Sequence, residues 1–91
     1  STLEREVALL DAVRSALTAS DFGAALSLIA EYRQQFERGE LARDADVFEV
    51  EAFAGQGERA RAARAAQKFL RLYPRDPHAT RLRALAELPP D

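Results

Sequence analysis

Apolar residues recur along this chain at helical spacing. Phe22, Ala25, Ile29, Tyr32 and Phe36 make one aromatic-rich stripe, and Ala62, Ala66, Phe69 and Tyr73 make a second. Between them, Leu41, Ala45, Phe48 and Ala52 fall on one side of a helix, and Val47, Val50 and Ala54 on nearly the opposite side. A helix apolar on two faces is sandwiched between neighbours. Towards the start, Leu9, Ala12, Val13 and Ala16 supply one packing face. Leu3, Val7, Leu10 and Leu17 widen that arc, interrupted only by Arg14. No segment alternates apolar and polar residues as a half-buried strand would.

Punctuation divides these stripes into five helices. Ser1 with Glu4 forms a capping box opening a first helix that runs to about Ala19. Ser20-Asp21 breaks the pattern and caps a second helix from Phe22 to about Arg38, which Gly39 is expected to end in the left-handed conformation. A third helix spans Glu40 to about Ala54. Gly55-Gln56-Gly57 separates it from a fourth, Glu58 to Tyr73. Pro74-Arg75-Asp76-Pro77 stops the chain and restarts it, with Asp76 as N-cap and Pro77 in the first helical position. The fifth helix ends near Leu88, before Pro89-Pro90. The fold class is all-α.

A shift of 37 residues superimposes the second and third breaks, Ser20 on Gly57. Ala8 then falls on Ala45, Val13 on Val50, Ala25 on Ala62, Arg38 on Arg75 and Ala42 on Ala79. Leu10 pairs with Val47, Asp21 with Glu58, Tyr32 with Phe69 and Phe36 with Tyr73. Caps, turns and large apolar residues align together, so one helix–turn–helix unit is used twice and the fifth helix begins a third copy.

The residues Gly57-Glu58, Ala62, Phe69-Leu70 and Pro74 resemble the second half of a tetratricopeptide (TPR) unit, with its turn glycine, small crossing alanine and terminal proline. Asp21-Phe22, Ala25, Ile29 and Phe36 repeat the likeness, with Ser20 in place of the glycine and Glu37 in place of the proline. Leu9 and Asp46 stand where the family carries an early aromatic. The segment from Phe69 to Ala79 looks like the variant in bacterial envelope proteins of the Tol–Pal coordinator and outer-membrane assembly lipoprotein type. The resemblance covers residues 5–88. It implies a TPR-like αα-solenoid of two helical hairpins and a C-terminal capping helix, with peptides or protein surfaces bound in a groove lined by the first helix of each pair. A scaffold role in a bacterial envelope or signalling assembly follows from the same likeness, in the periplasm, or alternatively the cytoplasm.

The groove positions of such a stack are Val7, Leu10, Arg14 and Leu17 of the first helix with Val47 and Glu51 of the third. They are the candidate protein-binding residues. Two readings of the wide apolar arc stand side by side. It is a partner site, or it is covered by an upstream helix or a second copy of the chain, making this a structural or oligomerisation domain. On the first reading, aspartate at Leu10 and Val47 abolishes partner binding without unfolding.

Composition narrows the chemistry. Ninety-one residues suit one domain. Nineteen alanines and twelve arginines, against the single Lys68, favour helix throughout. Cysteine is absent, so there is neither a disulfide framework nor thiol chemistry. No methionine occurs and the chain starts at Ser1, as expected of a processed product or a fragment of something longer. No apolar run approaches the roughly 20 residues that span a bilayer. The only histidine, His78, has no nucleophile near it in sequence, and its expected place is in a turn. Asp44, Asp46, Glu49 and Glu51 spread over several helix faces, so they do not converge on a metal or an acid–base pair. Gly55 and Gly57 lie between two helices, not after a strand, and cradle no phosphate. Accordingly no catalytic, cofactor or metal residue and no small-molecule substrate is assigned, and the expectation is a non-enzyme.

Charge is uneven. Residues 1–56 hold eleven acids and five bases, net −6, and residues 57–91 eight bases and four acids, net +4. Arg61, Arg64, Lys68, Arg71 and Arg75 fall on one stripe of the fourth helix. No aromatics interleave with them and the whole chain is slightly acidic, which weighs against nucleic acid and leaves a solvated face or an acidic protein partner.

Overall fold

The computed structural model describes residues 1–90. They form five helices: α1 (Thr2–Thr18), α2 (Phe22–Gln35), α3 (Ala42–Gly55), α4 (Arg59–Leu72) and α5 (Ala79–Leu85). Among the described residues there is no strand, and the body measures 39 × 26 × 18 Å. Asp91 lies outside the described residues.

Helix starts follow their caps. Ser1 Oγ accepts from Glu4 N at 3.3 Å, one half of the capping box, while the Glu4 carboxylate lies 3.9 Å from the Ser1 amino group as an ion pair. Asp21 Oδ1 accepts from Ala24 N at 3.2 Å and opens α2. Before α5, Asp76 Oδ1 accepts from His78 N at 2.8 Å. This side-chain turn occupies Pro77 and His78, so the helix proper begins at Ala79.

Three turns share one geometry. Ser20, Gly57 and Glu87 have φ of +58°, +75° and +56°. Each follows a helix whose last carbonyls are satisfied alike: Ser20 N to Leu17 O and Asp21 N to Ala16 O, Gly57 N to Ala54 O and Glu58 N to Phe53 O, Glu87 N to Ala84 O and Leu88 N to Arg83 O. This is the Schellman arrangement. It corrects the expected end of the fifth helix: Leu88 already lies past the left-handed turn, and α5 is seven residues long. A side chain in the left-handed region costs about 1–2 kcal/mol, part of which glycine returns as unfolded-state entropy. Ser20→Gly is therefore expected to stabilise the chain by about 0.5–1 kcal/mol, read as a melting temperature a few degrees higher. A lower melting temperature would contradict the left-handed turn.

The 37-residue register recurs in packing. The Tyr32 and Phe36 rings lie 5.4 Å apart and those of Phe69 and Tyr73 5.1 Å apart. Two core clusters form. Leu10, Val13, Ala25, Ile29, Tyr32, Phe36, Ala45 and Ala52 make the first; Val47, Val50, Ala62, Ala66, Phe69, Leu82 and Ala86 make the second. The two stripes of α3 feed different clusters, and α3 touches each of the other four helices.

Glu6 is the exception in this apolar interior. It is only 3% exposed, and its Oε1 accepts from the Tyr32 hydroxyl at 2.6 Å and from Leu41 N at 3.2 Å. Leu41 N also lies 3.1 Å from the Tyr32 oxygen. The network ties α1 to α2 and to the loop before α3. It bears on two departures from expectation. α3 starts at Ala42 rather than Glu40, and the network satisfies the N–H of its N-cap residue Leu41. Gly39 is not left-handed: α2 ends at Gln35, and a Cβ on Gly39 would run into Tyr32 Oη and Glu6 Oε1. Glycine is required there by close approach.

Candidate interaction surface

α2 packs on both α1 and α3, and α4 on both α3 and α5, while α1 lies beside α3 and α3 beside α5. At about 100° per residue, Val7, Leu10, Arg14 and Leu17 share one side of α1, and Asp44, Phe48, Glu51 and Ala54 one side of α3. Two hollows open along this seam. Val7, Leu10, Asp11 and Arg14 line the smaller with Leu41, Asp44 and Phe48, and the Arg14 guanidinium stands 5.5 Å over the Phe48 ring. The larger, of about 480 Å³, is lined by Leu17 and Phe22, by Glu51, Ala54 and Gly55 of α3, and by Arg81, Ala84 and Leu85 of α5. A Cβ on Gly55 would meet the Phe22 ring, so the end of α3 and the start of α2 close this hollow tightly.

The six candidate residues are distributed unequally over this surface. Leu17 and Glu51 come together at the larger hollow and Val7, Leu10 and Arg14 at the smaller. Leu10 is only 5% exposed and forms floor rather than rim. Val47, 3% exposed, turns into the second core cluster and reaches neither hollow. Aspartate at Leu10 or Val47 therefore strikes the core, which corrects the sequence-based expectation for those substitutions. Glu51 Oε1 pairs with Arg81 Nη1 at 2.8 Å across the α3–α5 boundary, setting a largely solvent-facing ion pair at the rim of the hollow. Arg81 and Ala84 were not singled out from sequence. The signal was present: the 37-residue shift carries Val7 to Asp44 to Arg81, and Leu10 to Val47 to Ala84.

The wide apolar arc of α1 is mostly covered. Only Leu3 and Val7 of it are exposed, each 43%. Leu41 at the N-cap of α3 and Ala45, Phe48 and Ala52 within it meet the first cluster. Their counterparts 37 residues earlier are Glu4, Ala8, Asp11 and Ser15, all exposed and polar or small. That side of α1 suits water.

The remaining polar groups build corners. Arg33 of α2 clamps α3, donating to Asp46 at 2.7 Å and to Glu49 at 2.8 and 3.3 Å. The Glu49 hydrogen bond is the largest influence raising its pKa above the ordinary arginine value, with Asp46 adding to it. Asp76 accepts from the His78 backbone, from His78 Nδ1 at 2.8 Å and from Arg43 at 3.1 Å. The backbone N–H leads in holding the Asp76 carboxyl below the usual carboxylate range, with the His78 ring and Arg43 assisting. Arg43 also stands 4.1 Å over the Tyr73 ring. His78 thus sits on a turn that Asp76 caps, and of the acids of α3 Asp46 and Glu49 share Arg33 while Glu51 goes to Arg81. Among the described residues no helix is long and apolar enough to cross a membrane. No protein-family model, characterised protein or solved structure matches the chain.

Proposed function

We propose that the chain is a non-catalytic protein-interaction module of TPR-like solenoid architecture, which holds a peptide or protein segment along the seam of α1, α3 and α5. The observation that carries this reading is the larger hollow, where three helices contribute Leu17, Ala54, Ala84 and Leu85 around the Glu51–Arg81 pair. Apolar walls with one ion pair at the rim suit a side-chain anchor that also needs orienting. The repeated neighbour pattern supports the solenoid: α1 on α2, α2 on α3 and α1 beside α3 recurs as α3 on α4, α4 on α5 and α3 beside α5. The setting implied by the repeat resemblance is a scaffold in a bacterial envelope or signalling assembly. The competing reading, burial of α1 against a second copy, has only Leu3 and Val7 to work with, far short of the roughly 1,000 Å² of a stable interface.

The test is a peptide selected from a random library and mapped by amide chemical shifts. Expected are perturbations centred on Leu17, Glu51, Ala54, Arg81 and Ala84, with Ala84→Arg weakening binding about tenfold and leaving helicity unchanged. Perturbations confined to the opposite surface, or full affinity in Ala84→Arg, overturn the assignment.

A further inference from the structure

Two groups stand out among the cations of this chain. Arg33, Arg43, Arg59 and Arg81 each hold an acid of another helix or turn. Arg61, Arg64, Lys68, Arg71 and Arg75 are all exposed, and among the described residues no carboxylate lies within ion-pairing distance of any of them. They follow one another at three- and four-residue spacing, covering about 15 Å of α4 and continuing past its end. Like charges so spaced repel and weaken a helix. The fold does not demand them, because the equivalent side of α2 carries Ala24, Ser27, Glu31, Gln34 and Arg38 instead.

Beside this row lies an open hollow. Glu49 and Phe53 of α3 floor it, and Arg61, Arg64, Ala65 and Lys68 of α4 wall it. Arg33 already neutralises Glu49, so the floor offers chiefly the Phe53 ring under a rim of three cations. No contact joins α2 to α4 among the described residues, which leaves the hollow unroofed on that side.

We propose that this face of α4 docks an acidic, helix-forming protein segment that carries one apolar residue flanked by carboxylates. Glutamates at three- and four-residue spacing match the cation row, and the apolar residue seats on Phe53 and Ala65. A second copy fits poorly: its one comparable row, Glu4 and Asp11 about Val7 on α1, sets two carboxylates against five cations, and Glu4 already lies 3.9 Å from the Ser1 amino group. Asp11 and Asp44 line the hollow between α1 and α3, Asp21 caps α2, and Glu31 stands alone on its helix side. Nucleic acid fits less well. The chain carries net charge −2, and the only ring at the hollow is half-buried rather than free to stack on bases.

The probe is a labelled helix-forming peptide with glutamates at that spacing around a central leucine, titrated with the full chain at low ionic strength. Saturable binding is expected, weakening as salt rises. The combined Arg64→Glu, Lys68→Glu and Arg71→Glu variant should lose at least about tenfold in affinity with its helicity intact, because those side chains touch nothing that holds the fold. Serine for the peptide's leucine should likewise weaken binding, and Ala84→Arg, across the molecule at the α3–α5 hollow, should leave it unchanged. The proposal is overturned by absence of saturable binding at low ionic strength, or by full affinity in the triple variant. It is equally overturned if Ala84→Arg abolishes binding, or if a single-stranded oligonucleotide or an anionic vesicle binds more tightly than the peptide.

Discussion

Leu10→Asp and Val47→Asp are each expected to unfold the chain. Leu10 packs with Val13 and Ile29 in the first cluster, and Val47 with Val50 and Phe69 in the second; the cation nearest Leu10 in its hollow, Arg14, is already set over the Phe48 ring. A buried, unpaired charge costs several kcal/mol even after the structure relaxes, or forces the group to stay protonated at a smaller cost. A domain of this size has only about 5–10 kcal/mol to lose. Far-UV circular dichroism at neutral pH should show lost helicity at ambient temperature, or a melting temperature lowered by 15 °C or more, on the order of the stability change divided by the unfolding entropy. Either variant melting within a few degrees of the parent would place that side chain on the surface.

Tyr32→Phe removes one oxygen and is expected to cost about 1–3 kcal/mol, because it leaves the buried Glu6 carboxylate with Leu41 N alone. The loss should depend on pH in a defined sense. Burial first, and the bond to Glu6 second, push the Tyr32 hydroxyl well above the ordinary tyrosine value of about 10. A group whose folded-state pKa is raised contributes stability that is complete below its unfolded value and is lost as pH climbs towards the folded one. The parent chain should therefore weaken above about pH 10, and the gap between it and Tyr32→Phe should narrow there. Urea unfolding at neutral pH and near pH 11 reads both effects; a gap that widens with pH would contradict the assignment. Gly39→Ala pushes a methyl into the same network and should destabilise comparably, and its effect should not add to that of Tyr32→Phe.

What could be read in advance depended on range. The helices, their breaks and the two-sided character of α3 come from spacing within a turn or two, and the structure places Leu41, Ala45, Phe48 and Ala52 against one cluster and Val47, Val50 and Ala54 against the other. Glu6 was invisible for the opposite reason. It sits among other acids on the first turns of α1, and its partners are 26 and 35 residues away. Gly39 announced only that a side chain is excluded; whether by dihedral angle or by a neighbour is a tertiary matter. The end of α5 was overrun because Leu82, Leu85 and Leu88 keep helical spacing past the turn, and a glutamate at Glu87 gives no hint of positive φ. At the candidate surface the arc of α1 was legible, but not its depth. Leu10 and Val7 are three residues apart on one side of the helix, and only the position of α3 decides that one is covered and the other open.

The central place of α3 has a kinetic meaning. Every helix–helix contact joins elements adjacent in sequence or one removed, so each closes a loop of modest length and small entropic cost. Chains wired this way collapse quickly, without waiting for distant strands to find each other. Since both clusters are completed only on α3, either end can begin the search, but neither can finish it before that middle helix has formed.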